Sequence, residues 1–134
     1  MNMLDFHEKP GSAVYDWRPE LASTITTRLY EQHPVLHRHC SRKEHMRARQ
    51  AVESLLAHLS MAMRLEQPKS FADVVAHGDA LSVITSLSMV DRGTALRQIH
   101  NTVKGSLPGP RGKLAADYIR YTLMHLEFSE RTSE

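Results

Sequence analysis

Val52-Glu53-Ser54-Leu55-Leu56-Ala57-His58-Leu59-Ser60-Met61-Ala62-Met63 is the stretch that decides the fold. Val52, Leu55, Leu56, Leu59 and Met63 fall at i, i+3, i+4, i+7 and i+11, so a turn of about 3.6 residues gathers them into one apolar stripe. Upstream, Ser41 and Glu44 form a Ser-x-x-Glu capping box, in which side chain and backbone satisfy each other's open groups at a helix start. The spacing predicts one long helix, Ser41 to Glu66, as the central packing element of an all-α domain.

Toward the C-terminus, Pro68 and the Ser70-x-x-Asp73 pair mark the next helix start. Phe71, Val74, Val75 and Gly78 share a face there, and Leu81, Ile84 and Leu87 continue its apolar character. Gly78 has two readings. On a buried stripe it admits a neighbouring backbone or a flat ligand, at a cost of about 1 kcal/mol relative to Ala; otherwise it breaks the segment into two helices, with Asp79 capping the second. Thr94 is the expected cap of a helix carrying Leu96, Ile99, His100 and Val103 on one face and ending at Gly105. A last helix turns Leu114, Ala115, Tyr118, Ile119, Thr122 and Leu126 inward.

Toward the N-terminus, Leu21, Ile25 and Leu29 recur at helical spacing after Pro19, and Pro34 stops that helix near Gln32. A short piece over Val35 to His39 follows. Met1 to Trp17 show no sustained period and read as an extension, from which Phe6, Tyr15 and Trp17 can dock. The organisation expected is an N-terminal extension over 1–18, one helical domain over 19–128 and a polar tail over 129–134.

Composition agrees with this. A chain of 134 residues, 41% apolar, suits a single core, and with three Phe, four Tyr and one Trp that core must rest on aliphatic residues and the seven Met. One cysteine, Cys40, excludes an intramolecular disulfide, and Met1 to Pro10 lack the basic start and apolar run of a secretory signal, so a cytoplasmic setting is expected. Charged residues interrupt every apolar run short of the roughly 20 positions a bilayer span requires, so no membrane partner is expected. Nine His add positive charge as pH falls through about 6.5.

Few residues carry catalytic chemistry. Nucleophile elbow, paired-carboxylate and His-Glu-x-x-His patterns are absent from the sequence, so an enzyme is not expected. Gly109-Pro110-Arg111-Gly112-Lys113 invites a phosphate-loop reading, but Leu114 stands where a Walker loop needs Ser or Thr. His33, His37, His39, Cys40 and His45 are metal-ligand types, yet Pro34 breaks the helix that would align them, so no metal is expected. Arg38, Arg42, Lys43, Arg47 and Arg49 form a basic segment whose default is a solvated face, with nucleic-acid binding as a third-ranked reading.

His58 and His77 stand on the flanks of adjacent apolar stripes, where they can border one cleft lined by Leu55, Leu59, Ala62, Val74 and Leu81. Arg64, Lys69 or Arg92 would then meet ligand carboxylates. The alternative is that both imidazoles sit at the core edge, partly exposed.

Taken together, Tyr30-Glu31-Gln32-His33-Pro34, Ala57-His58-Leu59, Phe71-Ala72-Asp73-Val74-Val75, Arg92-Gly93, Leu107-Pro108 and Asp117-Tyr118-Ile119 resemble a bacterial globin-like family similar to phycobiliproteins. Its members occur beside bilin-biosynthesis enzymes, cobalamin-binding modules or regulatory phosphatases. The resemblance covers about residues 20 to 126 and implies a globin-like helical bundle whose pocket lies between the helices bearing His58 and His77. The ligand contacts it implies are His58, Ala62, Arg64, Asp73, Val74, His77, Gly78, Leu81 and Arg92, around a biliverdin-like bilin, with haem ranked below it. Members often carry aromatics where this chain has Val74 and His77, and no cysteine lies near His77, so a bilin would be held noncovalently. The function expected is a non-enzymatic sensor or carrier. The alternatives are a ligand-free regulatory interaction module, acting as a helical homodimer or on a protein partner, and a basic nucleic-acid-associated factor.

Overall fold

Ser41 fixes the start of the central helix. Its Oγ accepts the Glu44 backbone N–H at 3.1 Å, so Ser41 caps the helix as the sequence predicts, and it donates to the Glu44 carboxylate at 3.1 Å. In the computed structural model, which describes residues 11–32 and 41–132 with side chains through 126, this helix is one of seven. In chain order they are α1 (Ser12–Asp16), α2 (Arg18–Glu31), α3 (Arg42–Arg64), α4 (Pro68–His77), α5 (Ala80–Ser88), α6 (Arg92–Ser106) and α7 (Gly109–Thr132). No strand occurs among the described residues, and the fold is an all-α bundle.

Val52, Leu55, Leu56, Leu59 and Met63 are all buried, which makes α3 the axis of the core. Around it pack α1, α2, α4, α5 and α7, while α6 closes the far side against α2, α5 and α7. The five buried Ser and Thr hydroxyls among the described residues are all bonded. Thr26, Ser88 and Thr122 donate to carbonyls one turn back, Ser60 donates to the Gly11 carbonyl at 2.8 Å, and Thr102 accepts from Arg28 and Gln98. Hydroxyls satisfied in this way can be buried without the penalty of an unpaired polar group. No helix is long and apolar enough to cross a membrane.

Several local expectations change. Residues 11–16, which lack periodicity, nonetheless form α1, and Val14 is only 1% exposed against the core. A single apolar residue on so short a helix leaves no repeat to detect; what holds it is Gly11, whose φ of +89° lets the chain lie against the Ser60 carbonyl where a Cβ would collide. At the next junction the two-helix reading holds. Gly78 is exposed and extended, with φ −91° and ψ 170°, and it ends α4 instead of lying on a buried stripe. Asp79 occupies the capping position of α5 without a side-chain cap bond.

Pro68 opens α4 directly, and Ser70 Oγ donates to the Gln67 side chain at 3.0 Å, so the Ser70 and Asp73 pair is not the cap. Asp91, not Thr94, caps α6: its carboxylate accepts the Thr94 N–H at 2.7 Å, because a cap bonds the backbone three residues on. Helix α6 then runs through Gly105 to Ser106, and the Gly-Pro segment after it is already the first turn of α7. The expected piece over Val35 to His39 lies outside the described residues.

Candidate functional site

The residues expected to line a ligand cleft are distributed over the molecule. Ala62 and Leu81 are buried members of the core cluster, packed with Leu55 and Leu59. His58 and Arg64 are exposed on α3, and Asp73, His77 and Gly78 are exposed along α4 and at its end, with Val74 half-buried beside them. Asp73 borders a hollow of about 420 Å³ with Gln67, Pro68, Lys69, Ser70 and Tyr121. Arg92, half-buried at the start of α6, borders a separate hollow of about 870 Å³. Neither hollow brings His58 to His77.

The basic segment behaves as a solvated face where it is described. Arg42, Lys43, Arg47 and Arg49 are exposed on the first turns of α3, and His45 stacks on Tyr30 with ring centroids 5.0 Å apart. His33, His37, Arg38, His39 and Cys40 lie outside the described residues. Among the described residues no group of three His, Cys, Asp or Glu side chains could hold a metal ion.

Among the described residues the most regular exposed apolar series runs along the outer side of α7, bordered at Tyr121 by the α4 hollow. Ala115, Tyr118, Ile119, Thr122 and Leu126 face the core, as expected, but Leu114 does not. It is 38% exposed and shares its direction with Tyr121, two turns on and 42% exposed, and with Met124, 65% exposed. Leu114, Asp117, Tyr121 and Met124 follow a three-four-three spacing, the seam positions of a helix that meets another helix. Lys113 and Arg120 flank this seam and are exposed, and the Tyr121 ring stacks on His125 at 6.2 Å with 7° between planes. The spacing was present in the sequence; the overlap of its apolar residues with an inward stripe on the same helix hides it.

On the inner side, burial pushes the Tyr118 phenol above its ordinary range, and the Glu66 carboxylate adds to the rise. Tyr118 therefore stays neutral. Elsewhere the exposed large apolar side chains are fewer and form no longer series: Met61 with Leu65, the separate Met46, Met89 and Trp17, and Tyr15, over whose ring the Arg18 guanidinium lies at 3.7 Å. Scattered exposure of that kind is ordinary; a regular seam on a helix of 24 residues is not.

The class these features define is an all-α bundle domain in which one helix carries an exposed apolar series among the described residues. No family model, curated protein or solved structure matches the chain.

Proposed function

We propose that this protein is a non-enzymatic interaction module that pairs with a second copy of itself through α7. The observation that carries the reading is the exposed Leu114, Asp117, Tyr121 and Met124 seam. The seam is self-complementary. An antiparallel crossing centred at Ile119 sets Leu114 opposite Met124, Asp117 opposite Tyr121 and Lys113 opposite His125, which pairs apolar with apolar and gives each Asp117 a phenol to accept from. Asp117 within the seam weakens the pair and fixes its register, as a polar seam residue does in other helix pairs. A helix of 24 residues spans about 36 Å, long enough for several such layers.

The tetrapyrrole-carrier reading has less support. Leu55, Leu59, Ala62 and Leu81 already pack on one another where the ligand would lie, and His58 and His77 face solvent. Sedimentation equilibrium tests the preferred reading: the wild-type chain associates as a dimer at high micromolar concentration, and the Tyr121→Glu, Met124→Glu variant is monomeric with unchanged helical circular dichroism. A monomeric wild type, or a dimer that survives both substitutions, overturns it. Absorbance titration with biliverdin and with haem separates the two readings, because a spectral shift on binding belongs only to the carrier.

A further inference from the structure

Away from α7, the chain turns from α5 into α6 through Met89-Val90-Asp91. Met89 adopts a left-handed conformation, φ +57°, which a side-chain-bearing residue takes up only when its surroundings hold it there. Here the Met89 N–H is bonded to the Thr85 carbonyl at 2.8 Å and the neighbouring Val90 is buried. The turn leaves the 870 Å³ hollow, whose walls carry Thr85, Ser86, Met89, Asp91, Arg92 and Arg97.

Two arginines line it. Arg92 is half-buried, yet its one hydrogen bond is a long contact from Nη2 to the Val75 carbonyl at 3.4 Å, and its buried Nε–H has no acceptor among the described residues. A partly desolvated guanidinium with its donors unspent is costly unless an acceptor completes it. The Arg97 guanidinium lies over Gly93, with both Nη atoms 3.3 Å from the place a Cβ would occupy, so the missing side chain at that position makes room for the charge. The one carboxylate in the wall, Asp91, is already engaged as the α6 cap. Asp91 keeps its charge as a cap and faces Arg97, so the two cations leave one net positive charge in the wall, to which the first turn of a helix of 15 residues adds.

We propose that this hollow binds a small oxyanion ligand, a carboxylate or phosphate with an apolar body, gripped by the Arg92 and Arg97 guanidinium groups. Guanidinium forks match the planar or tetrahedral oxygens of such groups, and the exposed Met89 side chain supplies the surface for the apolar part. The site is independent of the α7 pairing and stands whether or not the chain dimerises.

The test is isothermal titration of the full chain with inorganic phosphate and with hexanoate. The wild type binds at least one of them; phosphate alone assigns the site to phosphorylated ligands, and hexanoate alone assigns it to carboxylates bearing a tail. Arg92→Gln and Arg97→Gln each weaken binding by about tenfold, the worth of one charge-assisted contact, and the double variant abolishes it. Arg42→Gln, on the exposed first turn of α3, leaves binding unchanged. Should Arg92→Gln fail to fold, Arg92→Lys keeps the charge but loses the fork, and binding falls in a folded protein. Failure of both probes to bind the wild type, or binding that survives loss of both guanidinium groups, overturns the proposal.

Discussion

Helices α3 and α7 have nearly the same length, 23 and 24 residues, and both touch the core along one side, but they spend their apolar residues differently. In α3 the regular stripe from Val52 to Met63 is buried, and the apolar residues left outside are Met46 and, four turns on, Met61 with the capping Leu65. In α7 the inward positions are filled by Ala115, Tyr118, Ile119, Thr122 and Leu126, and a second regular series remains outside. A helix that carries more ordered apolar surface than its own fold consumes has surface left for something else. That contrast sets a helix whose ordered apolar surface the fold consumes beside one that keeps a second series exposed, the series on which the proposed pairing rests.

The largest effect should come from cutting the buried stripe. Leu56→Ala, at the centre of α3, should cost about 2–5 kcal/mol in urea unfolding, whereas Leu114→Ala on the outer face of α7 should change monomer stability by less than about 0.5 kcal/mol. Equal losses at the two sites would erase the distinction between the helices.

A smaller effect belongs to the α6 cap, which serves the fold without touching either stripe. Asp91→Ala should cost about 1 kcal/mol at neutral pH, because the Thr94 N–H loses its acceptor. That hydrogen bond holds the Asp91 carboxyl below its ordinary value of 3.8, with Arg97 contributing. A lowered carboxylate pKa means stability that is complete above the unfolded value and lost as pH falls below 3.8 through the folded value. Thermal unfolding of the wild type and Asp91→Asn, which keeps a capping oxygen without the charge, should therefore converge as pH is lowered through that window. Curves that stay parallel would show that the charge contributes nothing.

The smallest effect is expected on the basic first turns of α3. Replacing Arg42 and Lys43 with Glu should move the unfolding free energy by less than about 0.5 kcal/mol, since exposed charges contribute little. Salt-sensitive RNA or DNA binding by the wild type, absent in this variant, would mark α3 as a second docking element and blur the contrast with α7.

The sequence disclosed what depends on a single repeat, and only the outer series of α7, overlapped by the inward stripe on the same helix, escaped it. The cap at Ser41, the buried stripe of α3 and the inward positions of α7 are periodic or local, and they are legible without coordinates. What stayed hidden depends on contacts between segments distant in the chain. The docking of α1 rests on Gly11 meeting the Ser60 carbonyl, and the exposure of His58 and His77 follows from how α3 and α4 are turned relative to their neighbours. Asp91 displaced Thr94 as cap because two capping-type residues stand three apart, and only the backbone direction decides between them. The hollow lined by Arg92 and Arg97 was half-visible, since Arg92 stood out as a carboxylate partner while the Met89-Val90-Asp91 turn that shapes the hollow has no periodic signature.

The register of the α7 pair is the central claim, and disulfide trapping reads it directly. With Cys40→Ser as background, a mixture of the Leu114→Cys and Met124→Cys variants should oxidise to a mixed disulfide, because the antiparallel crossing brings these two positions within the few ångströms of Cα separation a disulfide accepts. Each variant alone should remain reduced. Efficient disulfides within either variant alone, with none between them, would contradict the antiparallel seam.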